Sequence, residues 1–380
     1  MTLTQKRIWL SPPHLSGSEE KYIAQALASG WVAPAGENLD AFEAEIVREL
    51  GGELFGVAVN SGTAAIHLGL IQLGIAPGDE VICQSFTFAA SANPVVYCGG
   101  SPVFVDSEKD TWNMDPVLLE KAILDRKAKT GKYPKAIVPV HLYGMPAKMD
   151  EICAIAEKYG IPILEDAAES LGSRYKGKNC GTFGEFAAVS FNGNKIITTS
   201  AGGILLCRNA ETRENILKLA TQARENRPYY HHEKIGYNYR MSNICAAIGR
   251  GQMEVLDTHV VRRREIHARY AELLGETPGI TVKQAPNSDF YSNFWLTCIL
   301  TDKSAKISST QLREHLAEAN IESRLLWKPM HLQPVYASAP FYGNGVSEDL
   351  FDRGLCLPSG SGMTDADLDR VVEAIKQLTK

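Results

Sequence analysis

Short apolar runs alternate with amphipathic segments through the first two thirds of the chain. Runs typical of buried strands cover residues 55–60, 80–84, 102–106, 136–141, 162–165, 187–191 and 203–207. Apolar residues spaced three and four apart predict helices over 17–29, 39–50, 63–73, 115–127 and 149–159. This alternation predicts an α/β fold whose large, mixed to mostly parallel sheet is covered on both faces.

The last third of the chain follows a different pattern. After residue 211 the sequence is mostly helical as far as Leu274, and an amphipathic segment over 243–274 is expected to join two domains. A strand over 291–300 and helices over 308–319 and 365–378 are typical of a small α+β domain. We therefore predict a large α/β domain over 1–250, then a linker helix and the small domain over 251–380.

Composition and charge exclude several classes of function. The 380 residues are 44% hydrophobic and carry a formal net charge of -5, without a basic block that indicates nucleic-acid binding. No apolar run approaches the roughly 20 residues that span a bilayer, and the N-terminus lacks the apolar core of a signal peptide. The 8 cysteines are scattered without a Cys-x-x-Cys pair, so neither a metal site nor a disulfide framework is expected. We predict a cytoplasmic protein without a membrane partner.

One lysine occupies an unusual place in this pattern. Lys195 lies in a glycine-flanked turn within 190–203, between two apolar runs. A lone lysine between strands is most often a solvated loop charge, since burying an unpaired ammonium is costly. A desolvated lysine can instead form a Schiff base with a carbonyl compound. The residues at other strand ends decide between these two interpretations.

Three further features follow predicted strands. The turn over 60–63 leads into a helix whose free N–H groups can bind a phosphate, although it can also be an ordinary helix cap. Phe86 and Phe88 follow the second strand, either as core aromatics or with one of them stacked on a flat ring. Asp166 can cap a helix or pair with a protonated pyridine nitrogen. With the lysine, these parts in this order predict a site for pyridoxal phosphate.

Four motifs resemble those of one enzyme family, the DegT/DnrJ/EryC1/StrS nucleotide-sugar aminotransferases. They are Asn60-Ser-Gly-Thr-Ala-Ala, Glu165-Asp-Ala-Ala-Glu-Ser-Leu-Gly, Ser190-Phe-Asn-Gly-Asn-Lys and Gly236-Tyr-Asn-Tyr-Arg-Met-Ser. The resemblance covers essentially the whole chain. It implies an aspartate aminotransferase-like enzyme of fold type I that works as a homodimer with active sites at the subunit interface. Segments at 29–34, 141–144, 221–226 and 326–333 further resemble the PglE type, which aminates C4 of a UDP-linked 4-keto-6-deoxy-N-acetylhexosamine.

The resemblance also implies roles for individual residues. Lys195 would be the lysine joined to the cofactor, Asp166 the partner of its pyridine nitrogen, and Phe88 the residue stacked on its ring. The residues that bind the cofactor phosphate would be Gly62, Thr63, Ser190 and, from the second subunit, Asn238. The residues that contact the nucleotide sugar would be Gly30, Trp31, Val32, Ala33, Arg324, Trp327 and His331.

One position departs from the common pattern of the family. Many members have Gln where this chain has Glu169, near the phenolic oxygen of the cofactor. A Glu there would have to be protonated or turned elsewhere, and the PglE branch tolerates it. Another branch replaces the lysine with His and catalyses dehydration, which Lys195 argues against.

The resemblance implies a ping-pong transamination. L-Glutamate would supply the amino group and leave as 2-oxoglutarate, and the amino group would then pass to the sugar, with Lys195 moving the proton in both halves. An alternative is an aminotransferase for a GDP- or dTDP-linked keto-deoxy sugar, which the loop of Trp31 and residues 324–331 would decide. A non-catalytic regulator that binds the cofactor is a second alternative. A structural protein without a ligand would leave Lys195 unexplained.

Overall fold

The computed structural model describes residues 6–51, 53–303 and 307–379. Residues 1–5, on which the absence of a signal peptide partly rests, lie outside that range. The helices are α1 Glu19–Ser29, α2 Glu37–Leu50, α3 Gly62–Gln72, α4 Asn93–Tyr97, α5 Pro116–Thr130, α6 Met149–Tyr159, α7 Ala210–Ala220, α8 Asn243–Met253, α9 Leu256–Leu274, α10 Ser309–Glu318, α11 Val346–Arg353 and α12 Asp365–Thr379. The strands are β1 Phe55–Val59, β2 Glu80–Gln84, β3 Ser101–Val105, β4 Ala136–Val138, β5 Leu164–Asp166, β6 Arg174–Tyr175, β7 Lys178–Asn179, β8 Phe186–Ser190, β9 Gly203–Cys207, β10 Ile280–Val282, β11 Phe290–Tyr291, β12 Thr297–Thr301, β13 Arg324–Leu325, β14 Phe341–Tyr342 and β15 Gly354–Leu357.

A large mixed sheet forms the centre of the fold. Its two halves have the strand orders β1-β9-β8-β5 and β14-β3-β2-β4. Parallel bridges from Ile137 to Ile163 and from Val140 to Asp166 join β4 to β5, so the two halves are continuous. Only β9 runs against its neighbours in this sheet, as the described strands show. The predicted α/β architecture is therefore confirmed.

This topology gathers the polar strand ends. Because β1, β2, β5 and β8 point in one direction, the residues that follow them meet at one edge of the sheet. Helix α3 packs closely on the face of this sheet: a Cβ on Gly69 would lie 2.3 Å from Leu164 Cδ1. Glycine at this position therefore lets the helix lie close to β5.

The C-terminal part builds a second, antiparallel sheet with the order β10-β12-β15-β13. Its core joins residues of α9, α10 and α12 with Ile8 from the N-terminal segment. A parallel bridge between Ile8 and Ile321 anchors that segment on this part. The boundary between domains at residue 250 stays a prediction.

Two sequence expectations about the C-terminal half were wrong in detail. The continuous helical segment over 243–274 is two helices, α8 and α9, separated at Glu254 and Val255. The expected helical stretch also fails over residues 221–242, which form turns and isolated bridges. Backbone N–H groups of Gln222 and Asn60 bond to the carbonyls of Tyr237 and Tyr239 there. These are long-range contacts, which local periodicity does not report.

Candidate active site

The turn that follows β8 presents Lys195 to a deep cavity. The backbone N–H of Lys195 donates to the carbonyl of Asn192 at 3.0 Å, which closes the turn. The side chain is largely buried, and its Nζ lies 3.3 Å from Glu169 Oε1. The lysine is therefore not the solvated loop charge that such a position most often holds.

Asp166 stands at the end of β5, buried in the same cavity. Its Oδ2 accepts a hydrogen bond from the Ser91 hydroxyl at 2.6 Å, and its Oδ1 accepts from the Ala168 N–H at 3.1 Å. Burial raises the pKa of Asp166, while these hydrogen bonds and the charge of Lys195 act in the opposite direction. A buried carboxyl of this kind is stabilised as an anion when a cation binds beside it.

The start of α3 forms an anion cradle beside β8. The Ser61 side chain caps the helix by accepting from the Ala64 N–H, at 3.1 Å, so the turn is a helix cap as well. The N–H groups of Gly62 and Thr63 belong to the first turn, where amides have no intrahelical acceptor. A Cβ on Gly62 would lie 2.9 Å from Ser190 Cβ. The glycine therefore lets the helix start approach the Ser190 hydroxyl.

The conformation of Glu169 explains how an acidic residue occupies this position. Its Oε2 accepts from the backbone N–H of Tyr143 at 2.6 Å, and its Oε1 faces Lys195. Tyr143, whose N–H makes this bond, has a positive φ of 54°. Burial raises the pKa of Glu169, and the charge of Lys195 opposes that rise.

Glu165, the third acidic residue of the motif, has a structural role. It is completely buried and accepts from His141 Nε2 at 3.0 Å and from the N–H groups of Gly181, Phe183 and Gly184. Burial acts to raise the pKa of Glu165, but these donors outweigh it and lower the pKa. Glu165 thus fixes the loop after β7 to β5.

Aromatic side chains surround the mouth of the cavity, which has a volume of about 970 Å³. Phe88 is 57% exposed and lies edge-on to Trp327, with 4.8 Å between the ring centres. Phe86 is fully buried, so the two phenylalanines divide between the core and the site. Trp9 also lines the opening. A cavity of this size exceeds what a small cofactor alone would fill.

The chain is similar to known proteins over nearly its whole length. Residues 13–376 match the family described as the DegT/DnrJ/EryC1/StrS aminotransferase family. EpsN of Bacillus subtilis, named as a pyridoxal phosphate-dependent aminotransferase, is 50% identical over 98% of this chain and 96% of its own.

The chain belongs to the DegT/DnrJ/EryC1/StrS aminotransferase family. It is a pyridoxal phosphate-dependent aminotransferase of fold type I. A GDP-perosamine synthase of Caulobacter vibrioides is 36% identical over 98% of each chain. Among solved structures, a family member from Brucella abortus superposes with a TM-score of 0.88, at 31% identity, over 96% of this chain and 95% of that one. In the part of this chain that the structure describes, no helix is long and apolar enough to cross a membrane.

The residues present fit pyridoxal phosphate. The start of α3, Ser190, Asp166 and Lys195 line one cavity. Oδ1 of Asp166 holds one backbone N–H and keeps lone-pair capacity for a second donor. The open amides at Gly62 suit the phosphate group. The α3 amides thus suit the phosphate, Asp166 suits the ring nitrogen, and Lys195 suits the aldehyde.

The structure places the predicted site residues in two sets. Those that line the cavity are Gly62, Thr63, Phe88, Asp166, Glu169, Ser190, Lys195, Arg324 and Trp327. Those that do not line it within the same chain are Gly30, Trp31, Val32, Ala33, Asn238 and His331. Arg324 already pairs with Glu322 at 2.8 Å at the rim.

The residues outside the cavity differ in their surroundings. His331 is tied to Ser85 Oγ at 2.7 Å and stacks on Phe341 at 3.5 Å, so its ring is held away from the cavity wall. Trp31 is 58% exposed, rather than packed under its loop as is common for such a residue. Asn238 is also exposed. Exposed residues of this kind are available to a second chain.

Sequence reasoning missed several residues that support the site. Ser91 orients Asp166, Tyr143 holds Glu169, and Trp295 covers the amine of Lys195, with 4.0 Å between Nζ and the ring centre. They come from distant segments, and no spacing along the chain links them to the lysine. The only signal was the presence of Tyr143 in a segment shared with the PglE branch.

Proposed function

We propose that the protein transfers an amino group from L-glutamate to C4 of a UDP-linked 4-keto-6-deoxy-N-acetylhexosamine. The observation that carries an aminotransferase reaction is the convergence of Lys195, Asp166 and the start of α3 on one cavity of about 970 Å³. The branch-specific segments, Leu326-Trp327 among them, support the UDP-linked substrate.

Each residue has a distinct part in the proposed reaction. Pyridoxal phosphate supplies an aldehyde carbon that takes up the amino group and a ring that withdraws electrons. Lys195 would hold the cofactor, and its Nζ, once freed by the amino donor, would remove and return a proton as base and acid. Asp166 holds a proton on the ring nitrogen through its charge.

The remaining residues bind and orient. The first-turn amides of α3 and the Ser190 hydroxyl hold the phosphate, and Asn238 of a second subunit completes that site. Phe88 would pack on the ring of the cofactor. The outer volume near Arg324 and Trp327 receives the sugar, together with the loop over 30–33 and His331. We propose that the loop over 30–33 and His331 act across a dimer interface, or that His331 acts after it moves. The cytoplasmic location stays a prediction.

The lysine assignment is tested by trapping. Borohydride added to the holoenzyme should fix a pyridoxyl group on Lys195, as located by peptide mass spectrometry. Lys195→Ala should lose at least about 1,000-fold in turnover, because it removes both the attachment point and the base. Lys178→Ala, at an exposed strand position, is the matched control and should behave as the wild type. Normal turnover by Lys195→Ala would contradict the assignment.

The alternative substrate is a GDP-linked keto-deoxy sugar, which the relation to GDP-perosamine synthases at 36% identity favours. A dTDP-linked keto-deoxy sugar is tested in the same assay. Each of the three 4-keto sugars is incubated with the enzyme and glutamate. The products are identified and quantified by mass spectrometry. We expect kcat/KM for the UDP-N-acetyl sugar to be at least about tenfold above the others. A preference for the GDP sugar, or none, would reject the UDP proposal while leaving the transaminase chemistry intact.

A further inference from the structure

A tryptophan that the family resemblance did not assign lies against the reactive amine. Lys195 Nζ is 4.0 Å from the centre of the Trp295 ring. Trp295 precedes β12 and is 2% exposed. A residue just before a strand of the second sheet therefore reaches an amine in the turn after β8. This distance is within the range in which a ring face attracts an ammonium group.

The indole N–H makes a second link to the same lysine. Trp295 Nε1 donates to the carbonyl oxygen of Asn194 at 2.6 Å. Asn194 immediately precedes Lys195, so this bond holds the backbone from which the side chain departs. The Ser11 hydroxyl donates to the same carbonyl at 2.7 Å. The turn is thus fixed from outside by two donors.

Trp295 is itself held in place by buried groups. Its backbone N–H donates to Asn293 Oδ1 at 2.8 Å, and its carbonyl accepts from Arg263 Nη1 at 2.6 Å. Arg263 is 1% exposed and also donates to the Ser359 carbonyl and to Ser11 Oγ. Among the described residues it forms no ion pair with a carboxylate. A buried guanidinium with only neutral acceptors is costly, so its bonds serve to fix these segments together.

We propose that Trp295 is a positioning residue that keeps the amine of Lys195 aimed into the cavity. The ring face restricts the long, flexible side chain and attracts its charged form, while the indole N–H fixes the turn. Glu169 borders the same Nζ atom at 3.3 Å, so the amine has few alternative places to rest. This inference rests on the proposed role of Lys195 and adds a residue that acts through it.

The test uses two substitutions that separate the ring from the N–H group. Trp295→Phe keeps a ring and loses the donor, whereas Trp295→Leu loses both. The first measurement is the single-turnover reaction of the holoenzyme with L-glutamate, which needs no sugar. We expect the maximal single-turnover rate constant to fall about tenfold in the Leu variant and about threefold in the Phe variant. The glutamate concentration that gives half of this rate constant should stay within about twofold, since neither the ring nor the N–H group is proposed to bind glutamate.

A second measurement does not depend on turnover. The apoprotein receives a brief pulse of pyridoxal phosphate with borohydride, and peptide mass spectrometry compares the label on Lys195 with that on exposed Lys178. The ratio should fall in the same order, wild type above Phe above Leu. Trp112→Phe alters another buried tryptophan, outside this cavity, and should match the wild type in both measurements.

Several results would overturn the inference. Wild-type rates and labelling in a folded Leu variant would do so, as would equal losses in the Phe and Leu variants. If the Leu variant does not fold, a Phe variant with wild-type labelling decides against the role of the N–H group. A wild-type enzyme that is not labelled at Lys195 and does not react with glutamate would instead reject the proposed function.

Discussion

Two buried carboxyls beside one lysine dominate the site at the scale of single residues. Asp166 and Glu169 both lie in the cavity with Lys195, and burial raises the pKa of each. Their neighbours separate their roles. Asp166 faces a hydroxyl and one amide, whereas Glu169 is turned to the Tyr143 N–H and the amine. The acidic residue at position 169 is accommodated because a backbone donor engages one of its oxygens.

The raised pKa of Glu169 leads to a pH-dependent prediction for the apoprotein. The folded state keeps the Glu169 proton to higher pH than the unfolded state, so wild-type stability falls as pH rises through this interval. Glu169→Gln has no such group and retains an acceptor for the Tyr143 N–H. As pH rises above 4.5, the ordinary pKa of a glutamate, thermal unfolding should show the variant gaining about 2–4 °C in Tm relative to wild type.

An exposed residue provides the control of opposite sign. The Lys158 ammonium and the Tyr159 hydroxyl hold the pKa of Glu120 low. The stability that Glu120 contributes is present at pH values above the usual pKa of a glutamate, and it is lost as pH falls. Glu120→Gln should therefore show no gain with rising pH. A Glu169→Gln variant whose Tm difference is flat, or shrinks as pH rises, would contradict the raised pKa.

At the scale of elements, one buried ion-pair cluster links α2 to the segment that carries Asn238. Glu43 of α2 pairs with Arg240, and with Arg213 at 3.1 Å, and also accepts from the Ala58 N–H at 2.6 Å. Arg240 forms an isolated bridge with Val59, at the end of β1. The cluster therefore sets the position of Asn238 relative to the start of α3.

Breaking this cluster should be costly. Glu43→Gln leaves two guanidinium groups near an uncharged partner, and we expect a loss of about 3–5 kcal/mol in the free energy of unfolding. Urea unfolding of the apoprotein measures it. The exposed pair of Lys129 and Asp125 is the comparison, and Lys129→Ala should cost less than about 1 kcal/mol. Equal losses of unfolding free energy in the two variants would show that the buried cluster stabilises the fold no more than an exposed ion pair does.

At the scale of the whole molecule, the exposed position of Asn238 supports shared active sites in a homodimer. It lies outside the cavity of its own chain, yet it is expected to bind the cofactor phosphate. The loop over 30–33 shares this property. Both observations fit residues that act on the site of a second copy.

Complementation tests the shared site. Lys195→Ala and Asn238→Asp should each be inactive alone, the latter because a carboxylate repels the phosphate. If the two chains are mixed and their subunits exchange, each mixed dimer has one intact site, which restores about one quarter of wild-type activity per total subunit. Light scattering should report a dimer throughout. Failure to restore activity in proven mixed dimers would place Asn238 in its own chain's site or outside the site altogether.

The sequence by itself determined the α/β class, most elements of the large sheet and most of the residues that we propose to hold the cofactor. These features are local: strand runs, helix periodicity and polar groups at strand ends are all legible in one segment at a time. The same reasoning failed over 221–242, where backbone groups bond to distant partners, and it joined α8 to α9.

Only the tertiary structure decided what supports those residues. It turned Glu169 toward Tyr143, placed Ser91 on Asp166 and separated Phe88 from Phe86. It also brought Trp295, from the segment before β12, onto Lys195. It also showed that His331 is held outside the cavity in this conformation. These outcomes depend on how sheets and helices pack against each other, because orientation, burial and charge environment arise from contacts between residues far apart in the chain.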